Sequence, residues 1–282
     1  MSIVTRFAPS PTGYLHLGHT ASAVNARRRA RGAGGRFLLR LEDIDPGRCR
    51  PEYSVAIQED LAWLGLDWDG PVRVQSEHLV DYQAALDELS ERGLLYPCFC
   101  TRAEILQEIS GSIAAQHAPD GSPTYPGTCR WLSRSEGADR IAAGQQFALR
   151  LDMAAALRLV GPLTYHEERE GQVQCHPERF GDIVLARKDA PASYHLCVTH
   201  DDALQGVTLV TRGEDLRPAT DVHRVMQALM GWAEPAYAHH PLVTDESGRR
   251  LAKRDRAATM REMRAAGAAP ADILARVEAL AG

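Results

Sequence analysis

The chain has 282 residues, 44% of them hydrophobic and 24% charged, with a formal net charge of −5. This is an ordinary globular composition, long enough for two domains or for one core with a large insertion. The negative balance argues against bulk electrostatic binding of nucleic acid but leaves room for a local basic groove. Six cysteines (Cys49, Cys98, Cys100, Cys129, Cys175 and Cys197) are scattered in a chain too large to need staples, so free thiols or metal ligands are expected rather than disulfides. No charged-then-apolar leader opens the sequence and no apolar run approaches membrane-spanning length, so a cytoplasmic location is expected.

Residues 4–8 read as a short strand, stopped by Pro9, Pro11 and Gly13. A helix rich in small residues follows from near His16 to about Arg31, which places His16 and His19 in its opening turn, directly after a strand. A helix N-terminus carries unpaired N–H groups and about half a positive charge, and it attracts phosphate. Imidazoles there can donate to oxygens as charge develops on them. Arg27, Arg28, Arg29 and Arg31 read as a solvated helix face. Gly32-Ala33-Gly34-Gly35 imitates a dinucleotide loop but lies between helix and strand, the wrong order for that motif.

Residues 36–41 form an apolar strand that ends in Glu42-Asp43-Ile44-Asp45, at the strand edge where open α/β sheets bind ligands. Two helices follow. The first has Tyr53, Ile57, Leu61 and Leu64 on one face between Pro51 and Gly65. The second starts at Ser76 as N-cap and stops at Gly93. Such alternation predicts a doubly wound parallel sheet, with residues 94–96 as its next strand. The character then changes at Cys98-Phe99-Cys100, and Cys129 returns after a Gly-, Pro- and Ser-rich loop. A structural zinc site needs four ligands. Spacing alone leaves the fourth open among His117, Tyr125, Cys175 and His176. Residues 147–151, 173–175 and 183–187 read as further strands. From Ala192 the sheet pattern resumes, with residues 193–200 running into Asp201-Asp202 and a strand with its exit loop at 207–216. A basic stretch at 247–254, a capping box from Thr259 to Glu262 and a last helix with Ile273, Val277 and Leu280 on one face complete the chain.

The string Arg6-Phe7-Ala8-Pro9-Ser10-Pro11-Thr12-Gly13-Tyr14-Leu15-His16-Leu17-Gly18-His19 resembles the HIGH-type signature of class I aminoacyl-tRNA synthetases, with the lead-in of the glutamyl branch. Arg212-Gly213-Glu214-Asp215 resembles a second string of that family, and Tyr194 falls where the family has a substrate-contacting tyrosine. Residues 247–254 resemble a degraded KMSKS loop: Arg250 and Ala252 replace a lysine and the serine, and Lys253 is kept. The resemblance implies an α/β class I synthetase fold whose Rossmann-like doubly wound parallel sheet is split between residues 1–96 and 191–240. It further implies an inserted zinc-containing, acceptor-binding-type subdomain at 97–190, then the KMSKS-like loop and a short helical stem at 241–282.

By the same resemblance, Cys98, Cys100, Tyr125 and Cys129 hold one structural Zn2+. Glutamate is bound by Arg6, Phe7, Ala8, Pro9, Ser10, Glu42, Tyr194 and Arg212. Arg6 is implied to meet the side-chain carboxylate and Arg212 the main-chain one, as suits the bidentate arginine fork. Glu42, with Ser10 and Ala8, is implied to hold the ammonium. His16, His19 and Lys253 are implied to bind ATP and to catalyse, with Mg2+ on the pyrophosphate, in a reaction that needs positioning and charge stabilisation more than covalent help.

Discriminating members of the family carry a large anticodon-binding region after the KMSKS loop. Here 28 residues follow Arg254, too few for an independent domain. Val198 stands where ordinary glutamyl-tRNA synthetases usually have a substrate-contacting asparagine. With the Tyr-plus-Cys pattern, these features resemble the truncated glutamyl-Q tRNA(Asp) synthetases. The implied activity is tRNA-independent activation of glutamate with ATP and its transfer to the queuosine base in the anticodon loop of tRNA(Asp). The expected partners are glutamate, ATP and queuosine-bearing tRNA(Asp), with no membrane and a monomeric chain. The alternatives are a minimal glutamyl-tRNA synthetase charging a 3′ end and a non-catalytic glutamate-binding paralogue, for which Arg250 and Ala252 argue.

Overall fold

β-branched and aromatic residues make β1 (Val4–Phe7), and α1 (Leu17–Gly32) follows with His16 as its N-cap. Ala23, Ala26 and Ala30 are buried on α1, and their small side chains let the helix lie close on the sheet. At the return to β2 (Arg36–Leu41), a Cβ on Gly35 would stand 1.9 Å from the Ile3 carbonyl oxygen, so only glycine fits. Next come α2 (Pro51–Trp63), β3 (Arg73–Val74), a 3-10 turn at Gln75–His78 and α3 (Leu79–Glu91). The middle of the chain supplies β4 (Leu95–Cys98), α4 (Arg102–Ser110), α5 (Arg134–Ala142), β5 (Ala148–Leu151), α6 (Met153–Val160), β6 (Thr164–Glu167), β7 (Gly171–Gln174) and β8 (Val184–Ala186). The last third supplies α7 (Tyr194–Leu204), β9 (Leu209–Gly213), α8 (Ala219–Met230), β10 (Ala236–His240), α9 (Met260–Ala265) and α10 (Pro270–Ala281). This computed structural model describes residues 2–110, 117–242 and 258–281.

Strands β1, β2 and β3 pair in parallel, as do β9, β10 and β6, while β7 closes a hairpin on β6. The two sheets meet edge to edge between β1 and β9. There the Thr208 N–H donates to the Val4 carbonyl oxygen at 2.9 Å, and the Val4 N–H to Thr208 Oγ1 at 2.9 Å. The chain leaves β1 toward β2 on one side and β9 toward β10 on the other. The C-terminal ends of β1 and β9 therefore flank a topological switch point, where open α/β sheets form their ligand crevice. A separate antiparallel sheet, β4-β5-β8, stands beside α3 and α7. One core lies where α3, α6, α7 and α8 meet (Leu86, Leu89, Leu151, Leu196, Val222 and Met226), and a second joins α1, β2, α2 and α10 (Phe37, Leu39, Ile57, Leu61, Ile273 and Val277). Each such side chain contributes about 1.5–3 kcal/mol through burial.

Three expectations are corrected. Residues 94–96 do not extend the parallel sheet; β4 pairs antiparallel with β5. Residues 193–200 are not a strand but the start of α7, whose N-cap Ser193 takes the Leu196 N–H on Oγ. Its apolar residues bury against α3 and α8 rather than alternating across a sheet. Ser76 caps no helix: its N–H and hydroxyl donate to Asp43 at 2.8 and 2.6 Å, which ties the 3-10 turn to the exit of β2. The β6–β7 hairpin, inside the segment 97–190, extends the sheet of β9 and β10. The expected capping box at Thr259 and the buried face of Ile273 and Val277 are present. No helix among the described residues is long and apolar enough to cross a membrane.

Candidate active site

A cavity of about 820 Å3 opens at the switch point. Arg6, Phe7, Ala8, Pro9 and Ser10 enter it from the end of β1, and Glu42 from the end of β2. Tyr194 reaches it from the first turn of α7, and Arg212 from the end of β9. His16 and His19 enter from the start of α1, so ten of the expected site residues share one cavity. Lys253, with the rest of the KMSKS-like stretch, lies outside the described residues. Val198 is buried on α7 and does not line the cavity.

The two histidines close the helix start on itself. His16 Nδ1 accepts from the Gly18 N–H at 3.1 Å, and His19 Nδ1 accepts from the His16 N–H at 3.4 Å. An acceptor nitrogen carries no proton, so each neutral ring holds its proton on Nε2. The rings stack with centroids 3.7 Å apart. Behind them the chain returns, with the Met260 N–H donating to the Leu15 carbonyl oxygen at 2.8 Å.

Arg6 is clamped from behind. Its Nε and Nη2 donate to Asp202 at 2.9 and 3.3 Å, and its Nη1 to the Thr211 carbonyl oxygen at 3.3 Å. Asp202 also accepts from Arg40 Nη2 at 2.8 Å, and the same nitrogen lies 3.3 Å from Glu42. Burial alone raises the Asp202 carboxyl, yet Arg6 and Arg40 hold it below the usual carboxylate range. Burial pushes Glu42 up despite Arg40 and Arg6. One step further in, Asp201 accepts from Arg73 Nε at 2.9 Å, Tyr82 OH at 2.9 Å and Gln75 Nε2 at 3.1 Å.

Arg212 is held by neutral groups. Nε donates to His239 Nε2 at 3.2 Å, Nη2 to Thr220 Oγ1 at 2.6 Å, and Nη1 lies 3.2 Å from His223 Nδ1. Its guanidinium also stands over the Tyr237 ring, 5.4 Å from the centroid. Of these supports, sequence reasoning missed Arg40, Thr220, His223 and His239, together with Glu167, whose carboxylate lies 2.6 Å from His239 Nδ1. A lone arginine inside the apolar strand at 36–41 and the Asp201-Asp202 pair in an otherwise apolar run were the signals available.

Away from the cavity, Cys98, Cys100 and Cys129 bring their sulfurs within 4.8 Å of one another. Cys100 Sγ lies 3.5 Å from both Cys129 Sγ and the Tyr125 hydroxyl, and that hydroxyl accepts from the Cys129 N–H at 2.8 Å. Of the four candidates for a fourth ligand, Tyr125 is the one in contact with the thiols. Cys175 packs with Tyr165 and Val210, and His176 sits beside Glu178. Burial pushes the Cys100 thiol up to about 11. Lys188 Nζ donates to the carbonyls of Phe99 and Cys100 at 2.7 and 3.0 Å and so fixes the turn that carries the first two thiols.

Residues 2–280 match the family described as tRNA synthetases class I (E and Q), catalytic domain. The chain is 48% identical to a glutamyl-Q tRNA(Asp) synthetase of Rhodobacter capsulatus, over 96% of this chain and 98% of that one. It is 45% identical to a protein of the same name from Nocardia farcinica, over 96% of this chain and 82% of that one. Among solved structures, a glutamate tRNA ligase from Elizabethkingia meningosepticum in complex with its amino acid superposes with a TM-score of 0.76 at 29% identity. That match covers 90% of this chain and 52% of the ligase, so the chain spans about half of that longer enzyme.

Proposed function

The chain belongs to the class I tRNA synthetases of the E and Q type, and on that premise we propose that it activates glutamate with ATP and transfers it to the queuosine base of tRNA(Asp). The observation that carries this reading is the joint lining of one cavity by two buried arginines, a buried glutamate and the histidine-capped start of α1. Arg6 takes the side-chain carboxylate and Arg212 the main-chain one. Glu42, with Ser10 and Ala8, takes the ammonium, and Tyr194 is a neutral donor between the arginines. A substrate with a carboxylate at each end and one ammonium matches two cations and one anion.

A main-chain carboxylate oxygen attacks the α-phosphorus of ATP in line, the bond to the bridging oxygen breaks, and pyrophosphate leaves. The protein's part is positioning and charge stabilisation. His16 and His19 donate from Nε2 to the phosphate oxygens at the helix start, where the peptide dipole adds to their effect. Lys253 is read as a further cation for the transferring phosphoryl group, and Mg2+ bound with ATP would neutralise the leaving pyrophosphate. A nucleophile on the queuosine base then attacks the glutamyl carbonyl, and AMP departs. Residues 97–190 are the tRNA-facing insertion in this reading, between catalytic halves at 1–96 and 191–240.

The thiol cluster fits a structural zinc. Ligands at about 2.3 Å from a tetrahedral ion stand about 3.8 Å apart, and Cys100 and Cys129 stand 3.5 Å apart. Cys98, Cys100, Cys129 and Tyr125 would hold the ion, which supplies a redox-inert crosslink between β4 and the loop before α5.

Labelled glutamate and ATP are incubated with queuosine-containing tRNA(Asp), queuosine-free tRNA(Asp) and tRNA(Glu). Label on the first alone is expected. Label on tRNA(Glu) would make this a minimal glutamyl-tRNA synthetase, and label on none would make it a non-catalytic relative.

A further inference from the structure

We infer that His223 and His239 are positioning residues that grip Arg212 with neutral acceptors and so leave its charge to be balanced by the substrate carboxylate. The inference rests on the reading that Arg212 takes a carboxylate of glutamate. The two arginines are held differently. Arg6 shares its charge with Asp202 through two contacts. Among the described residues Arg212 has no carboxylate partner: its Nε, Nη1 and Nη2 go to His239, His223 and Thr220.

A guanidinium only donates. His239 Nε2 and His223 Nδ1 must therefore be unprotonated, and this fixes every tautomer beyond them. His239 carries its proton on Nδ1, which lies 2.6 Å from Glu167 Oε2, and the Glu167 carboxylate also accepts the His239 N–H at 3.2 Å. His223 carries its proton on Nε2, which lies 3.3 Å from His195 Nδ1, so His195 is protonated on Nε2. Five elements meet at this relay: β9 brings Arg212, α8 brings Thr220 and His223, β10 brings His239, β6 brings Glu167, and α7 brings His195. Burial, seconded by the Arg212 charge, holds His239 down to about 3 and His223 well below its usual value. Burial also lowers His195, to about 4. All three rings stay neutral across the physiological range.

The arrangement satisfies three N–H donors of a buried cation without cancelling the charge. Arg212 lines the cavity, and a guanidinium has five N–H donors, more than these three partners take. A carboxylate in place of either imidazole would make the same hydrogen bond but would act as an internal competitor for the substrate. Neutral imidazole separates the two tasks, holding the fork still while leaving the attraction to an anion intact.

The test compares three substitutions at His223, which does not line the cavity, in glutamate-dependent ATP–pyrophosphate exchange by the full chain. His223→Glu is expected to raise KM for glutamate at least about tenfold with kcat changed by less than about threefold, the signature of lost uniform binding. The KM for ATP should not move. His223→Gln, whose amide oxygen still accepts, is expected to stay near the wild-type KM, and His223→Leu to fall between the two. A wild-type KM in His223→Glu, or a His223→Gln variant as impaired as His223→Glu, would overturn the inference. Nitrogen-15 NMR of the wild-type histidines reads the relay without any substrate and serves even where a variant fails to fold. Protons on His239 Nδ1 and His223 Nε2 are expected, and the opposite tautomer or a doubly protonated ring would overturn it. A wild-type protein without exchange activity would instead sink the proposed function, whatever the tautomers.

Discussion

Two buried clusters of ionisable groups differ in how they are closed. Behind the cavity, Arg6, Arg40 and Arg73 interleave with Glu42, Asp201 and Asp202, so each charge finds a counter-charge within the cluster. In the thiol cluster, three cysteines and a tyrosine face one another, and the nearby cations pair with none of the thiols. Lys188 binds backbone carbonyls, and the Arg150 guanidinium lies over the Tyr125 ring at 3.8 Å. The first cluster is complete within the protein. The second is a set of ligand-type groups that face one another with no counter-charge among them, and its packing partners are few.

Arg40→Leu removes the central cation from the first cluster and leaves Asp202 and Glu42 buried without it. A loss of about 3–5 kcal/mol is expected in denaturant unfolding. Chelation should touch only the second cluster. With zinc at a thousandfold over its Kd, stripping it should cost at most about 4 kcal/mol, seen as a fall in Tm and in metal content, and Cys98→Ser should make the protein indifferent to chelator. In the cavity, His16→Asn keeps an N-cap acceptor for α1 while removing the imidazole. Exchange should drop about 10²–10³-fold with the unfolding midpoint nearly unchanged, and unaltered exchange would remove His16 from the chemistry.

Asp60 supplies a third case, a buried carboxylate with neither counter-charge in contact nor metal. Its Oδ2 has no hydrogen-bond partner, and burial lifts its pKa to about 6. The folded state therefore holds a proton that the unfolded chain, at about 3.9, releases earlier. Stability falls as pH rises from about 4 to 6 and stays lower above that. Asp60→Asn should flatten this slope and add about 1–3 kcal/mol at pH 7.5, measured by urea unfolding at pH 4.5 and 7.5. An unchanged slope would show that Asp60 does not set it.

Much of this was legible in the sequence where a feature is local. The strand–turn–helix from Val4 through His16, the acidic end of β2, and the capping box at Thr259 depend on residues within a few positions of one another. The failures were of two kinds. Residues 193–200, with Val198 and Thr199 in a short apolar run, fit a strand as well as a helix until the contacts with α3 and α8 decide. The supports of the site are joined across long sequence separations, Arg6 to Asp202 and Arg212 to His239 among them. No period or spacing could pair them. The family resemblance found the residues that line the cavity but not the side chains that hold them in place.

The neighbouring histidines of β10 carry a last consequence. His239 is buried and turned toward Arg212 and Glu167, whereas His240 faces the opposite way, lining the cavity with Nε2 3.2 Å from Ser22 Oγ. Successive residues of a strand alternate sides, so slipping the register by a single residue exchanges them. Deleting one residue between Ala236 and Ala238 would leave the composition of this strand almost untouched. It would nevertheless send the wrong histidine to each side, so indels in β10 should be tolerated far less well than substitutions of its side chains.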